Sequence, residues 1–318
     1  MNVLINGLGN IGQTLTALIL HYKSQLNIDN IHVLKNTPKP YEDYSFWTKK
    51  GVQIHFDRKQ VPQKSIHYIF DCTQGGVSHI QKKWYETFDN LLGAAAQGTE
   101  HDFGYPLMFG INEQEASEHK YHHIVSCNTH GILSVLKFVS PLLSNIETAD
   151  FVIVRRSEDL SNHLRLVTAN VVARHRESAI GTHHATDAKA LLNKIGIDFP
   201  IFSSDITTPS QLMHTLRFRI ATTQKCKTKH GYTAETKQFD SNKIFEFGRR
   251  NGFQGRIYNH SIIVTNNIIE NANQTIGWAF IPQEGNTILS TISAYAVRCI
   301  GYESREIIKS IYDDVNIF

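Results

Sequence analysis

The first dozen residues constrain this chain more than any other stretch. Asn2-Val3-Leu4-Ile5-Asn6 is a short, mostly apolar run of strand length. Gly7-Leu8-Gly9-Asn10-Ile11-Gly12 follows at once, and Thr14, Leu15, Ala17, Leu18 and Ile19 then recur with helical spacing. A strand, a Gly-x-Gly-x-x-Gly turn and a helix in that order give the glycines their meaning. They allow a tight turn and let the backbone approach a pyrophosphate closely. The phosphate then rests on the helix N-terminus, where backbone N–H groups lack partners. Gly7, Gly9 and Gly12 are therefore expected at the phosphates of a dinucleotide, on the first strand of a parallel α/β sheet.

The second strand, Ile31-His32-Val33-Leu34, ends on Lys35 and Asn36. An acid there would bond a ribose 2′-hydroxyl. None occurs before Glu42, and a lysine attracts a 2′-phosphate, so NADP is expected as the preferred cofactor over NAD. Val52 to Phe56 reads as a short strand. Ile66 to Cys72 reads as another, entering Thr73-Gln74-Gly75-Gly76-Val77 and a helix over 78–90. An apolar strand over 91–96 runs into Gln97-Gly98. Ligands bind at the carboxyl ends of parallel strands, which points Gly98 toward the nicotinamide half.

A second centre lies at Ile124-Val125-Ser126-Cys127-Asn128-Thr129. An apolar run delivers Cys127 to the start of a helical pattern, Ile132 to Val139. Partial positive charge at a helix start favours a thiolate, so Cys127 is the expected nucleophile. The other cysteines, at 72, 226 and 299, form no Cys-x-x-Cys pair, and no Cys/His spacing fits a metal. That usage suits a reducing cytoplasm. No apolar run reaches the roughly 18 residues of a membrane span, and the opening residues read as a strand rather than a signal peptide. A net charge of +3 from dispersed basic residues argues against nucleic acid as a partner.

Beyond Cys127 the βα rhythm gives way to alternating strands, which predicts a second, α+β domain with a mainly antiparallel sheet. Phe151 to Val154 leads into Arg155-Arg156, of which Arg156 is expected at the site and Arg155 in a structural ion pair. His183 and His184 sit on a segment read as extended, where adjacent side chains diverge, so only one should face Cys127. A helix is expected near Asp187–Ile195 and another over Thr287–Ile300. A dinucleotide, a thiolate, arginines and histidines together suit aldehyde oxidation. Cysteine adds to the carbonyl, hydride leaves, and phosphate cleaves the thioester. A histidine moves the protons, and arginine forks hold phosphate.

Taken together, Ile5 to Gly12, Leu34-Lys35-Asn36-Thr37, Gln97-Gly98-Thr99-Glu100, Ser126-Cys127-Asn128-Thr129, Val154-Arg155-Arg156, Thr182-His183-His184, Pro209 to Leu216 with Leu212-Met213-His214-Thr215, and Gln283-Glu284 resemble glyceraldehyde-3-phosphate dehydrogenases of the archaeal (type II) branch, in order and over nearly the whole chain. The resemblance implies a Rossmann dinucleotide-binding domain over 1–126, completed by a C-terminal helix in 284–318, and a catalytic domain over 127–283. It implies NADP or NAD, a phosphorylated aldehyde, inorganic phosphate and a homotetramer. It places Asn10 and Ile11 at the cofactor phosphates, Gly98 and Gln283 at the nicotinamide, and Arg156 at cofactor or phosphate. Ser126, Asn128 and Thr129 fall at the substrate with His183 and His184, one of which would be the base; His214 is a third candidate. The chain departs from the family at His130, at Ser134 and over 157–178, around the substrate. A paralogue using another aldehyde or acyl phosphate, and a nucleotide-binding homologue without catalysis, are the competing readings.

Overall fold

The computed structural model describes residues 1–38, 42–98, 100–157, 169–209, 214–224, 236–239, 262–265, 269–271, 273–281 and 285–314. The chain divides into two compact units. The first runs from Met1 to Val125 and takes back Thr287–Ile311; the second begins at Ser126.

In the first unit, strands β1 (Asn2–Asn6), β2 (Asn30–Leu34), β3 (Gln53–His55), β4 (Tyr68–Asp71), β5 (Gly93–Gln97), β6 (Tyr105–Leu107) and β7 (Tyr121–Ile124) form one sheet in the order β3-β2-β1-β4-β5-β7-β6. Every pairing is parallel. Parallel strands covered on both faces must be apolar throughout, and β4 and β5 are buried at every position. Leu4, Leu34, Ile69 and Ala96 of neighbouring strands join Ile66, Tyr85, Phe88 and Phe103 in one buried cluster. Each such large side chain contributes about 1.5–3 kcal/mol of hydrophobic stabilisation.

Helix α1 (Asn10–His21) follows β1 directly, and α2 (Ser45–Lys49), α3 (Ser78–Tyr85) and α4 (Glu113–Ala116) follow in the same unit. The helix expected over 78–90 stops at Tyr85. The sequence reading also missed β6, three residues long with Pro106 at its middle.

The second unit opens with α5 (Cys127–Val139). Its strands are β8 (Ile146–Arg155), β9 (Val171–Val172), β10 (Ile201–Thr207), β11 (His214–Thr222), β12 (Thr236–Phe239), β13 (Ile262–Thr265), β14 (Ile269–Asn271) and β15 (Gln274–Ile281), with α6 (His183–Lys194) between β9 and β10. The sheet order is β12-β13-β15-β11-β8-β10-β9, with β14 on β15. Pairings are antiparallel except at β8/β10 and β12/β13. Burial alternates along β10, β11 and β15, so Phe151, Ile153, Leu216, Phe218 and Ala279 form an inner face. A Cβ on Gly131 would overlap the Ile281 side chain, which shows how closely α5 lies on that face.

The segment at His183 is not extended. It is the first turn of α6, four residues upstream of the expected start. Thr182 is the extended residue before it, and Gly181, at φ +82°, turns the chain into it. A Cβ there would overlap the Ser203 carbonyl oxygen. A helix α7 (Gly285–Cys299) returns most of its length to the first unit.

Candidate active site

The glycine loop is built as a phosphate site requires. Gly7 has φ +105°, and a Cβ on it would meet the Cys72 carbonyl oxygen at 2.7 Å; one on Gly12 would overlap the Gly7 carbonyl. A Cβ on Gly9, by contrast, meets nothing within 4 Å, so the outer side of the turn is open. Gly9 caps α1 with no side-chain hydrogen bond, and no acid stands in the first turn. Asn10 and Ile11 are the first residues of α1. The uncapped N–H groups and the room beside Gly9 fit the pyrophosphate of a dinucleotide.

At the end of β2, Lys35 Nζ lies 3.2 Å from Glu42 Oε1, and Tyr44 donates its hydroxyl to the other Glu42 oxygen. The expected cation is present, and Glu42 shares its charge. Asn36 Nδ2 donates to Asn6 Oδ1 at 3.3 Å; Asn6 Nδ2 donates to Tyr85 Oη at 2.6 Å, and that hydroxyl donates to Asp71 Oδ2 at 2.7 Å. This relay, exposed at Asn36 and buried from Asn6 through Tyr85 to Asp71, ties the ends of β1, β2 and β4 together beside the loop. Gly98 follows β5 at φ +90° with open space at its Cβ position. Its carbonyl accepts a hydrogen bond from His123 Nε2. Gln283 lies outside the described residues.

The thiol site belongs to the second unit. Cys127 is the first residue of α5, and the Ser126 side chain caps the helix by accepting from Thr129 N. His130, one of the departures from the resembling family, is buried and bonds the Ser126 carbonyl within its own helix at 3.0 Å. Asn128, next to Cys127, brings Nδ2 to 3.3 Å from His184 Nε2. The His183 and His184 rings lie 3.8 Å apart at their centroids. Both histidines therefore belong to one cluster, which corrects the expectation that adjacent side chains must diverge: at a helix start neighbouring side chains are only about 100° apart.

Four more residues complete the cluster. Asp205, on the inward face of β10, places Oδ2 3.6 Å from His184 Nε2 and Oδ1 3.9 Å from Arg155 Nη1. Arg156 is buried, and its backbone N–H donates to His214 Nδ1 at 3.1 Å. Burial, then the charges of His183 and Arg155, hold the His184 imidazole well below its ordinary pKa. Burial, then Arg156 and Arg155, do the same to His214. Both rings are neutral at pH 7. Asn128 Oδ1, His184 Nδ1, Asp205 Oδ1 and Arg155 Nε are buried and have no hydrogen-bond partner among the described residues. Native interiors rarely leave such a group of atoms unsatisfied unless water, an ion or a ligand serves them. Asp205 was not foreseen; the available signal was a charge at an inward position of an alternating strand.

No family model matches the chain. The glyceraldehyde-3-phosphate dehydrogenase of Sulfolobus acidocaldarius is 30% identical to it over 243 residues, covering 71% of this chain and 67% of that protein. The chain belongs to the glyceraldehyde-3-phosphate dehydrogenase family. The Sulfurisphaera tokodaii enzyme of the same name is 27% identical over 232 residues, and the match spans less than two thirds of its length, 64%. Among solved structures, aspartate semialdehyde dehydrogenase II from Vibrio cholerae aligns with TM-score 0.68 at 11% identity, covering 95% of this chain and 99% of that one. That likeness is one of fold: a parallel Rossmann sheet and a second, mainly antiparallel mixed sheet. Membership makes the chain an oxidoreductase of the aldehyde dehydrogenase type and implies a nicotinamide nucleotide.

Proposed function

We propose that this protein oxidises glyceraldehyde 3-phosphate to 1,3-bisphosphoglycerate, reversibly, with NAD(P) and inorganic phosphate, through a thioester on Cys127. The observation that carries this reading is the second-unit cluster: a cysteine opening a helix, the next residue, Asn128, 3.3 Å from His184, and His184 beside Asp205, which Arg155 approaches in turn. The first unit holds the dinucleotide, with Gly7, Gly9, Asn10, Ile11 and Gly12 at the phosphates. Lys35 and Asn36 hold the adenosine ribose, and Gly98 and Gln283 belong to the nicotinamide half. NADP is preferred through Lys35, and the Glu42 carboxylate moderates that preference.

The Cys127 thiolate adds to the aldehyde carbon and makes a hemithioacetal. His214 acts on the oxygen: its Nδ1 accepts from Arg156 N–H, so in the neutral ring Nε2 carries the proton and donates. His184, neutral and buried, accepts the proton released from the hemithioacetal hydroxyl, and His183 beside it contacts the substrate. When bound, NAD(P) supplies the hydride acceptor that converts the hemithioacetal into a thioester. Arg156 and Arg155 hold phosphate groups, for which a planar guanidinium fork is suited. Phosphate attacks the acyl carbon and expels the Cys127 thiolate. Ser126, Asn128 and Thr129 line the start of α5 where the substrate rests.

A panel of phosphorylated and unphosphorylated aldehydes and semialdehydes, each with and without inorganic phosphate, tests this assignment. Reduced cofactor should form with glyceraldehyde 3-phosphate and require phosphate. Turnover of a different aldehyde alone would retain the thioester chemistry and overturn the substrate.

A further inference from the structure

Strand β10 turns Ser203 and Asp205 to the same inward face. Ser203 Oγ lies 2.6 Å from Thr182 Oγ1, and the Ser203 carbonyl accepts from Thr182 N at 3.0 Å. One face of this strand therefore grips the residue before α6 and, two positions on, reaches the second histidine of α6. The Asp205 side chain is 2% exposed, and that of His184 3%. A buried carboxylate is costly unless paired, and here its neighbours are His184 and Arg155.

A neutral imidazole carries one N–H, and a carboxylate can only accept. Asp205 faces Nε2, so the favourable tautomer puts the proton there. The opposite tautomer would set a lone pair against the carboxylate and leave a buried Nδ1–H with no acceptor among the described residues. Turning the Asn128 amide about its axis brings Oδ1 to the same N–H and gives that otherwise unbonded oxygen a donor. Nδ1 then keeps its lone pair, with no hydrogen-bond partner among the described residues.

We infer that Asp205 is a positioning residue that locks His184 in the Nε2–H tautomer and so leaves Nδ1 as the proton acceptor of the thiol site. The tautomer lock does not depend on the proposed function, whereas its use in turnover rests on the thioester reading of the second unit. Arg155 Nη1, 3.9 Å from the other carboxylate oxygen, helps to hold Asp205 in place.

The test is two-bond 1H–15N correlation of the histidine rings in the full chain labelled with 15N-histidine, with His184 assigned through His184→Gln. At neutral pH the wild-type His184 should show a protonated Nε2, and Asp205→Asn should lose that preference. An Nδ1–H tautomer in the wild type, or an unchanged tautomer in Asp205→Asn, would overturn the inference. The wild-type spectrum decides the matter even if the variant does not fold. In turnover, Asp205→Asn should lower kcat about 100-fold with little change in KM, and Asp205→Glu should recover part of it. Equal kcat in wild type and Asp205→Asn would refute the catalytic use of the lock. Absence of aldehyde oxidation by the wild type would sink the thioester reading and leave the tautomer result standing.

Discussion

At the residue scale, the account turns on one thiol and what surrounds it. Cys127→Ser should abolish aldehyde oxidation, by at least about 1000-fold, while NADP binding followed by fluorescence titration stays within about twofold. Loss of both would mean the substitution damaged the fold rather than the chemistry. Lys35 offers a second test, because Glu42 compensates its charge. Glu42→Gln frees the ammonium, and the ratio of kcat/KM for NADP over NAD should rise roughly 3- to 10-fold, about 1 kcal/mol, as for a partly buried pair. A fall in that ratio would place the 2′-phosphate elsewhere. Cys127 was legible because two local patterns meet there, an apolar strand and a helix start. Asp205 was not, because its meaning comes from His184, which lies 21 positions earlier and reaches it only through packing of α6 on β10.

At the element scale, the glycine loop could be read from residues 2–19 alone, since strand, turn and helix are all local. Gly12→Ala should weaken dinucleotide binding at least tenfold, because the new methyl group meets the Gly7 carbonyl, a backbone atom that has no other rotamer to adopt. Cys127 labelling by a thiol reagent should be unaffected. The start of α6 was harder to read. Its buried face is Ala185, Ala188, Leu191 and Leu192, and two alanines give a weak apolar period over the first turn. The stop before it, Gly181, declares itself only through its positive φ and its approach to the Ser203 carbonyl. Gly181→Ala should cost about 1–3 kcal/mol of stability, read from denaturant midpoints, and should lower kcat by displacing the histidines. An unchanged kcat would detach α6 from the chemistry. Strand β6 escaped because three residues around a proline carry no periodicity.

At the scale of the whole molecule, buried histidines make stability depend on pH. His122 bonds the Ala116 carbonyl at 2.8 Å and His123 the Gly98 carbonyl, and burial pushes both down to about 4. His32, buried beside His55, is also pushed down to about 4. These rings are neutral in the fold and gain protons once unfolded near the ordinary value of about 6.5. Between those values the unfolded chain binds more protons, so stability is full above about pH 6.5 and is lost as pH falls toward 4. His122 and His123 each contribute on the order of 3 kcal/mol across that window. Tm should fall steadily between pH 7 and pH 5, and His122→Asn should make the slope shallower. A flat Tm over that range would contradict the neutral, buried state of these rings. The two-sheet architecture was legible because the period changes after Cys127. Pairing order in the second sheet was not, since alternation alone does not say which strands are neighbours.

The most direct measurement is reduced-cofactor formation from glyceraldehyde 3-phosphate, NADP and inorganic phosphate, followed at 340 nm for the wild type and for Cys127→Ser. The expected result is phosphate-dependent turnover in the wild type and none in the variant. Turnover that persists in Cys127→Ser would exclude a thioester on that residue, and with it the central claim.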